Sequence, residues 1–131
     1  MALQWYESAS RLGNANAQQN LGIKYLIGEQ VPEHTHRALD LITRAAGSGL
    51  RNSQLLLGQL YQTGYDGKII IDLGKAEQWY LRAAKQGVAD AQYELALILR
   101  NKQNQQGAAN FWIQQAASSG HQGAIKLRAD L

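Results

Sequence analysis

The 131-residue chain contains no cysteine and a single proline, Pro32. The first absence excludes a disulfide framework, thiolate zinc sites and a cysteine nucleophile. The scarcity of proline, together with three Trp, argues against disorder. Charge is also sparse: 13 Lys and Arg stand against 10 Asp and Glu, a net charge of +3. That balance is mildly basic and well short of a nucleic-acid-binding arm. No apolar run approaches the ~18 residues needed to span a membrane. The opening Met1-Ala2-Leu3-Gln4-Trp5-Tyr6 has no signal-peptide pattern. What is present is enough for one domain or a short repeat array, burying about two-thirds of the unfolded surface without staples.

The chain repeats itself. Trp5, Leu41, Trp79 and Trp112 fall in register at steps of 36, 38 and 33 residues, and Gly13, Gly49, Gly87 and Gly120 follow the same steps. Ala2, Ala38, Ala76 and Ala109 precede the anchors, and Ala9, Ala45, Ala83 and Ala116 follow them. A second block comes after each glycine. It reads Ala17-Gln18-x2-Leu21-Gly22-x2-Tyr25-x2-Gly28, then Ser53-Gln54-x2-Leu57-Gly58-x2-Tyr61-x2-Gly64. The third version keeps Ala91-Gln92-x2-Leu95-Ala96 but has Leu99 in the Tyr slot and Lys102 in the Gly slot, and the fourth starts at Ala124. The copies span about 2–37, 38–75, 76–108 and 109–131.

Ala76, Trp79, Tyr80 and Ala83 share one face of a helix, with Asp72 placed to cap its start and Gly87 to end it. Gln54, Leu57, Gly58 and Tyr61 keep the same period up to Gly64. A glycine inside a helix costs roughly 1 kcal/mol relative to alanine. Its recurrence at Gly22 and Gly58, with Ala96 third, implies close packing there, with rings of the Trp-Tyr pairs as the neighbours. Gln62 is taken as a surface residue whose loss costs little. The first loop holds Val31-Pro32. The second holds a turn at Tyr65-Asp66-Gly67-Lys68, then Ile69-Ile70-Ile71, one or two of which plug the gap between helices. The third, Asn101 to Gln106, is short and polar. The pattern predicts eight antiparallel helices, about 2–12, 15–27, 35–47, 51–63, 72–86, 90–102, 106–119 and 121–130.

These motifs resemble a tetratricopeptide array and, more closely, the Sel-one-like repeat family. That family's Trp-Tyr, Ala-Ala and Gly, then Ala-Gln-x2-Leu-Gly-x2-Tyr-x2-Gly, match Trp79-Tyr80, Ala83-Ala84, Gly87 and Ala91-Gln92, and Leu21-Gly22-x2-Tyr25-x2-Gly28. Leu41-Ile42 in place of Trp-Tyr is a departure, as is the third copy's loss of Gly-x2-Tyr-x2-Gly. The chain opens inside a second helix of the pattern, as expected of a fragment of a longer array or a naturally truncated one. The resemblance implies an all-α solenoid of antiparallel helix pairs winding into a right-handed superhelix. It implies an interaction scaffold, found in bacterial and eukaryotic proteins, with no catalytic residues.

Nothing in the residues contests that expectation of a non-enzyme with no cofactor and no metal. His34-Thr35-His36 needs a third ligand, for which only Glu29, Glu33 or Asp40 lie near in sequence, and reads as a solvated loop before a helix; no His-Glu-x-x-His occurs. Gly64-Tyr65-Asp66-Gly67-Lys68 has the wrong glycine spacing for a phosphate loop, and Ile69 stands where a hydroxyl should hold magnesium. The Trp-Tyr pairs belong to the core by their register, not to a stacking platform. Basic residues form no cluster, so nucleic acid is not the expected partner.

In stacked helix pairs the first helix lines the concave side. Off the core register there lie Gln19, Ile23, Leu55, Gln59, Tyr93, Leu97 and Arg100, with Leu55, Leu56 and Leu97 also placed to pack between repeats. This stripe of amides and apolar groups suits a partner protein or an extended peptide. Tyr93 and Arg100, two turns apart, are the expected anchors. The alternative is a structural segment that joins domains or self-associates through its terminal repeats.

Overall fold

The computed structural model of the chain describes residues 2–29 and 33–131; Val31 and Pro32 lie outside the described residues. Eight helices follow one another: α1 (Ala2–Arg11), α2 (Ala15–Ile27), α3 (Thr35–Gly47), α4 (Arg51–Thr63), α5 (Leu73–Lys85), α6 (Ala89–Arg100), α7 (Gln106–Ser118) and α8 (Gln122–Arg128). Each end lies within about two residues of its expected position. Among the described residues there is no β-strand, only an isolated bridge between Tyr65 and Ile69. The architecture is an all-α solenoid.

Local chemistry fixes the boundaries. Side chains of Asn14, His34, Asp72 and His121 accept the backbone N–H three residues on, and so cap α2, α3, α5 and α8. Gly13, Gly49, Gly87 and Gly120 turn the chain from each second helix into the next first helix at φ between 86° and 102°, a region only glycine enters freely. Packing is most extensive within the pairs α2/α3, α4/α5 and α6/α7, and the pairs are joined by α1/α2, α3/α4, α5/α6 and α7/α8.

The recurrent glycine is a contact point. A Cβ on Gly58 would stand 2.5 Å from Tyr80 Cδ1, and one on Gly22 would stand 2.7 Å from Ile42 Cγ1. Tyr80 and Ile42 share one register, so each glycine receives the side chain at that slot on the next helix. Ile113 occupies the slot on α7, and Ala96 replaces the glycine on α6; both are buried.

Tyr80 is fully buried, yet its hydroxyl is satisfied: it donates to Gln62 Oε1 at 2.5 Å, and Gln62 Nε2 donates to Glu94 Oε2 at 3.0 Å. Burial, and secondarily the Glu94 charge, push the Tyr80 phenol well above its ordinary range. Gln62 is therefore no mere surface residue, because it ties the core ring to the next first helix. The Trp anchors are not the core residues their register suggested. Tyr80 is core, but Trp79 and Trp112 are half-buried and Trp5 is 57% exposed on the outermost helix of the described stack.

A second recurrent residue explains itself in the same way. Gln54 Nε2 donates to Ala46 O at 3.0 Å and Gln92 Nε2 to Ala84 O at 3.1 Å, with Gln18 reaching Ser10 O at 3.4 Å. Each glutamine adds a second donor to a carbonyl at the end of the preceding second helix that already accepts the N–H of the turn glycine, at 3.0 Å from Gly13, Gly49 and Gly87. Between α4 and α5, Asp66 and Gly67 adopt φ of 50° and 70°. That turn sends Ile69 inward, 4% exposed, while Ile70 is 82% exposed. Ile69 is the plug expected from the sequence.

Candidate functional site

The predicted stripe separates into two columns. Gln19, Leu55 and Tyr93 share one register, and each leans on the next repeat. Gln19 Oε1 accepts the Ser53 hydroxyl at 2.5 Å. Leu55 packs against the cluster around Tyr80 and Leu95. Tyr93 stacks on His121, ring centroids 4.4 Å apart and planes 22° apart, and its ring lies 2.9 Å from where a Cβ on Gly123 would stand. This column joins repeats, and it takes the Tyr93 ring away from the role of free anchor.

Ile23, Gln59 and Leu97 form the second column, one turn further along α2, α4 and α6. Ile23 and Leu97 are half-buried, and Gln59 is exposed, as is Arg100 on the last turn of α6. Tyr93 and Arg100 lie two turns apart on α6, with the Tyr93 ring stacked on His121 and Arg100 exposed.

Leu97 leads into a cleft of about 390 Å³ where α4, α5 and α6 converge. Its apolar walls are Leu73, Leu97 and Ile98, and Leu73 is over half exposed. Gln62 and Asn101 contribute amides, and Glu77 and Lys102 stand on its rim, paired at 2.5 Å. Mixed polarity and this volume are those of a site for a side chain or a short peptide segment. Sequence reasoning found Leu97 but missed the cleft, whose other walls come from the start of α5 and the end of α6. The one available signal was the shortening of the third loop.

The other residues of interest are structural in their contacts. His34 Nδ1 accepts the Arg37 N–H at 3.1 Å, and His121 Nδ1 accepts the Ala124 N–H at 3.2 Å while its Nε2 faces Asp90 at 3.1 Å. Among the described residues no three His, Asp or Glu side chains gather as metal ligands. Lys68 of the Gly64–Lys68 turn is hydrogen-bonded to Glu33, which holds its ammonium above the usual range. Cations elsewhere are spread and partly paired, as Arg44 is with Asp40 at 3.2 Å. No helix among the described residues is long and apolar enough to cross a membrane.

Comparison with known proteins supplies the family. A model of the Sel1 repeat matches residues 1–14, 15–50, 51–88 and 89–121. An exopolysaccharide production negative regulator from Rhizobium leguminosarum bv. viciae is 30% identical over 143 residues, covering 96% of this chain and 53% of that protein. Chitin synthase regulatory factor 4 of Schizosaccharomyces pombe is 30% identical over 129 residues, covering 98% of this chain and 20% of that protein. The chain thus spans about half the length of the one relative and a fifth of the other. Relatives in both a bacterium and a yeast assign it to neither kingdom. Among solved structures, a Sel1 repeat protein from Oxalobacter formigenes superimposes with a TM-score of 0.87 at 29% identity, covering 98% of each chain. A protective antigen of uropathogenic Escherichia coli displaying an SLR fold gives 0.84 at 26% identity, over 98% of this chain and 28% of that one. The register repeated in the sequence, the Gly22 and Gly58 contacts repeated in the structure and the family model agree, and the chain belongs to the Sel1 repeat family.

Proposed function

We propose that the chain is a non-catalytic interaction scaffold, its copies acting as one array that docks an extended segment of a partner protein along the first helices. The observation that carries this reading is the second column. Ile23, Gln59 and Leu97 recur at the repeat spacing, half-buried, exposed and half-buried in turn, and the exposed Arg100 extends the line. Amides can meet a partner's backbone while apolar side chains fill pockets between them. The curated names of the relatives, a negative regulator and a regulatory factor, are compatible with action through binding. No nucleic-acid or membrane partner is invoked.

The test is partner capture with Gln59→Ala, Arg100→Ala against the convex changes Arg44→Ala, Gln78→Ala. The first pair is expected to lose at least about thirtyfold in affinity, since a true anchor is worth about 2 kcal/mol or more when truncated. Loss with the convex pair alone would move the site to the second helices. A second reading is favoured by the partial coverage of the relatives. In them the matching repeats are part of a larger protein, and here too the array could serve to join flanking segments or copies of itself. Binding that survives every concave change, but fails when the end helices are altered, would select it.

A further inference from the structure

The α4–α5–α6 cleft has a counterpart one repeat earlier, and there it is filled. Gln62, Glu77 and Ile98 of the cleft stand in register with Leu26, Leu39 and Leu60. Leu26 and Leu60 belong to one packed cluster with Ile69, and Leu39 packs against it. Ile69 reaches them from the loop between α4 and α5. That loop is drawn tight by hydrogen bonds of Tyr65 N–H to Ile69 O at 3.1 Å and of Asp72 N–H to Tyr61 O at 2.8 Å. The loop between α6 and α7 is Asn101-Lys102-Gln103-Asn104-Gln105, too short and wholly polar, so it edges the corresponding space with Asn101 and Lys102 but sends no apolar side chain into it. The fold thus contains one plug site occupied in cis and one left open, in which Gln62 and Glu77 replace two of the leucines and the apolar wall is made by Leu73, Leu97 and Ile98.

We propose that the open cleft takes a branched aliphatic side chain from an extended segment of a partner, in the way that the earlier site takes Ile69. This rests on the peptide-docking reading and names its anchor. The apolar walls suit the side chain. Glu77 and Lys102, paired with each other on the rim, keep a second carboxylate oxygen and further ammonium protons for the backbone of the occupant. The occupant is specified by the chain's own solution to the same geometry: Lys68-Ile69-Ile70-Ile71-Asp72, an aliphatic run flanked by a cation and an anion.

The probe is a synthetic heptapeptide, Asp-Gly-Lys-Ile-Ile-Ile-Asp with blocked ends, titrated into the isotope-labelled full chain and followed by amide chemical shifts. Saturable shifts are expected at Leu97, Ile98, Asn101 and Lys102. Replacing the first isoleucine of the peptide by alanine is expected to weaken binding about tenfold or more. In the protein, Gly74→Leu is the blocking variant. A Cβ there meets only Asp72 Oδ1, at 3.4 Å, so the new side chain can lie in the cleft without disturbing the fold. It is expected to abolish the shifts with an unchanged circular dichroism spectrum, and Leu97→Glu is expected to act likewise by charge. Absence of saturable shifts into the millimolar range, or equal binding of the alanine peptide, overturns the proposal. A protein partner that loses binding with Gln59→Ala, Arg100→Ala but tolerates Gly74→Leu overturns the aliphatic anchor and leaves docking along the stripe intact.

Discussion

The α4/α5 pair and the α6/α7 pair follow one register and close differently. In the first, glycine at position 58 meets a tyrosine ring, the connecting loop folds back to bury Ile69 against α2, α3 and α4, and the buried Gln54 has both ends of its amide bonded. In the second, Ala96 stands in the glycine slot and Ile113 in the tyrosine slot, the loop is polar, and the carbonyl of Gln92 finds no protein partner among the described residues. Repetition fixes which backbone surfaces meet. The side chains that finish each joint vary, and the looser joint is the one whose loop leaves the cleft between α4, α5 and α6 without an apolar plug.

The largest expected effect tests whether the tighter joint depends on its ring. Gly58→Leu should destabilise by more than about 2 kcal/mol, because the added side chain collides with a fully buried ring that has nowhere to move. Denaturant midpoints measured at an unchanged m-value would show this as a change in stability alone. Ala96→Leu should cost less, since Ile113 is smaller and more deformable than Tyr80. Equal losses at the two positions would mean that the ring is not what sets the tolerance.

That contrast marks how far the sequence could be read. Helix number, boundaries, a close contact at each mid-helix glycine and an isoleucine plug from the second loop were legible because each is written by period, by a cap or by residue type; which isoleucine turns in, and that Gly22 meets Ile42 and not a ring, were not. Gly22 and Gly58 in mid-helix could only mean a close approach. The candidate site was half legible. Spacing placed Gln19, Leu55 and Tyr93 on the first helices and off the core. It could not separate their column from that of Ile23, Gln59 and Leu97, because the separation arises from contacts with the following repeat. Tyr93 shows the limit best: its partner His121 is 28 residues away, and nothing local signals the stack. The cleft was illegible for the same reason, being assembled from three helices.

A middle-sized effect tests the polar side of the tighter joint. Gln62→Ala should cost about 1–3 kcal/mol, because it leaves the buried Tyr80 hydroxyl without its acceptor. Gln62→Glu keeps an acceptor but sets a second carboxylate beside Glu94, so it should restore less than full stability. The raised ionisation of Tyr80 gives a related expectation. A group whose folded pKa lies above its unfolded value contributes stability below the unfolded pKa, near 10 for a phenol, and loses it as the pH rises further. Thermal melts should therefore fall above about pH 10, and less so in Tyr80→Phe. A Gln62→Ala variant as stable as the parent would mean that water replaces the amide without cost.

The smallest effect would make the looser joint resemble the tighter one. Gln86, in the turn after α5, donates to Gln54 Oε1 at 2.8 Å and to Gly49 O at 3.0 Å. Its counterparts after α3 and α7 are Ser48 and Ser119. Their hydroxyls bond back to Arg44 O and Gln115 O at 3.0 and 3.2 Å and are too short to reach the next helix. The carbonyls of Gln18 and Gln92 are the ones left without a protein partner. Ser119→Gln should supply Gln92 Oε1 with the missing donor and Gly87 O with a second bond. The gain should be about 0.5–1.5 kcal/mol, the net worth of a hydrogen bond that satisfies a buried acceptor. Ser119→Ala removes only a local bond and should stay within about 0.5 kcal/mol of the parent, so it separates the new bond from the loss of the old one. Native-state hydrogen exchange at the Gln92 amide should slow in Ser119→Gln if the joint has tightened. A glutamine there that raises neither the midpoint nor the protection would show that the α6/α7 joint differs from α4/α5 in backbone spacing and not only in the residue that closes it.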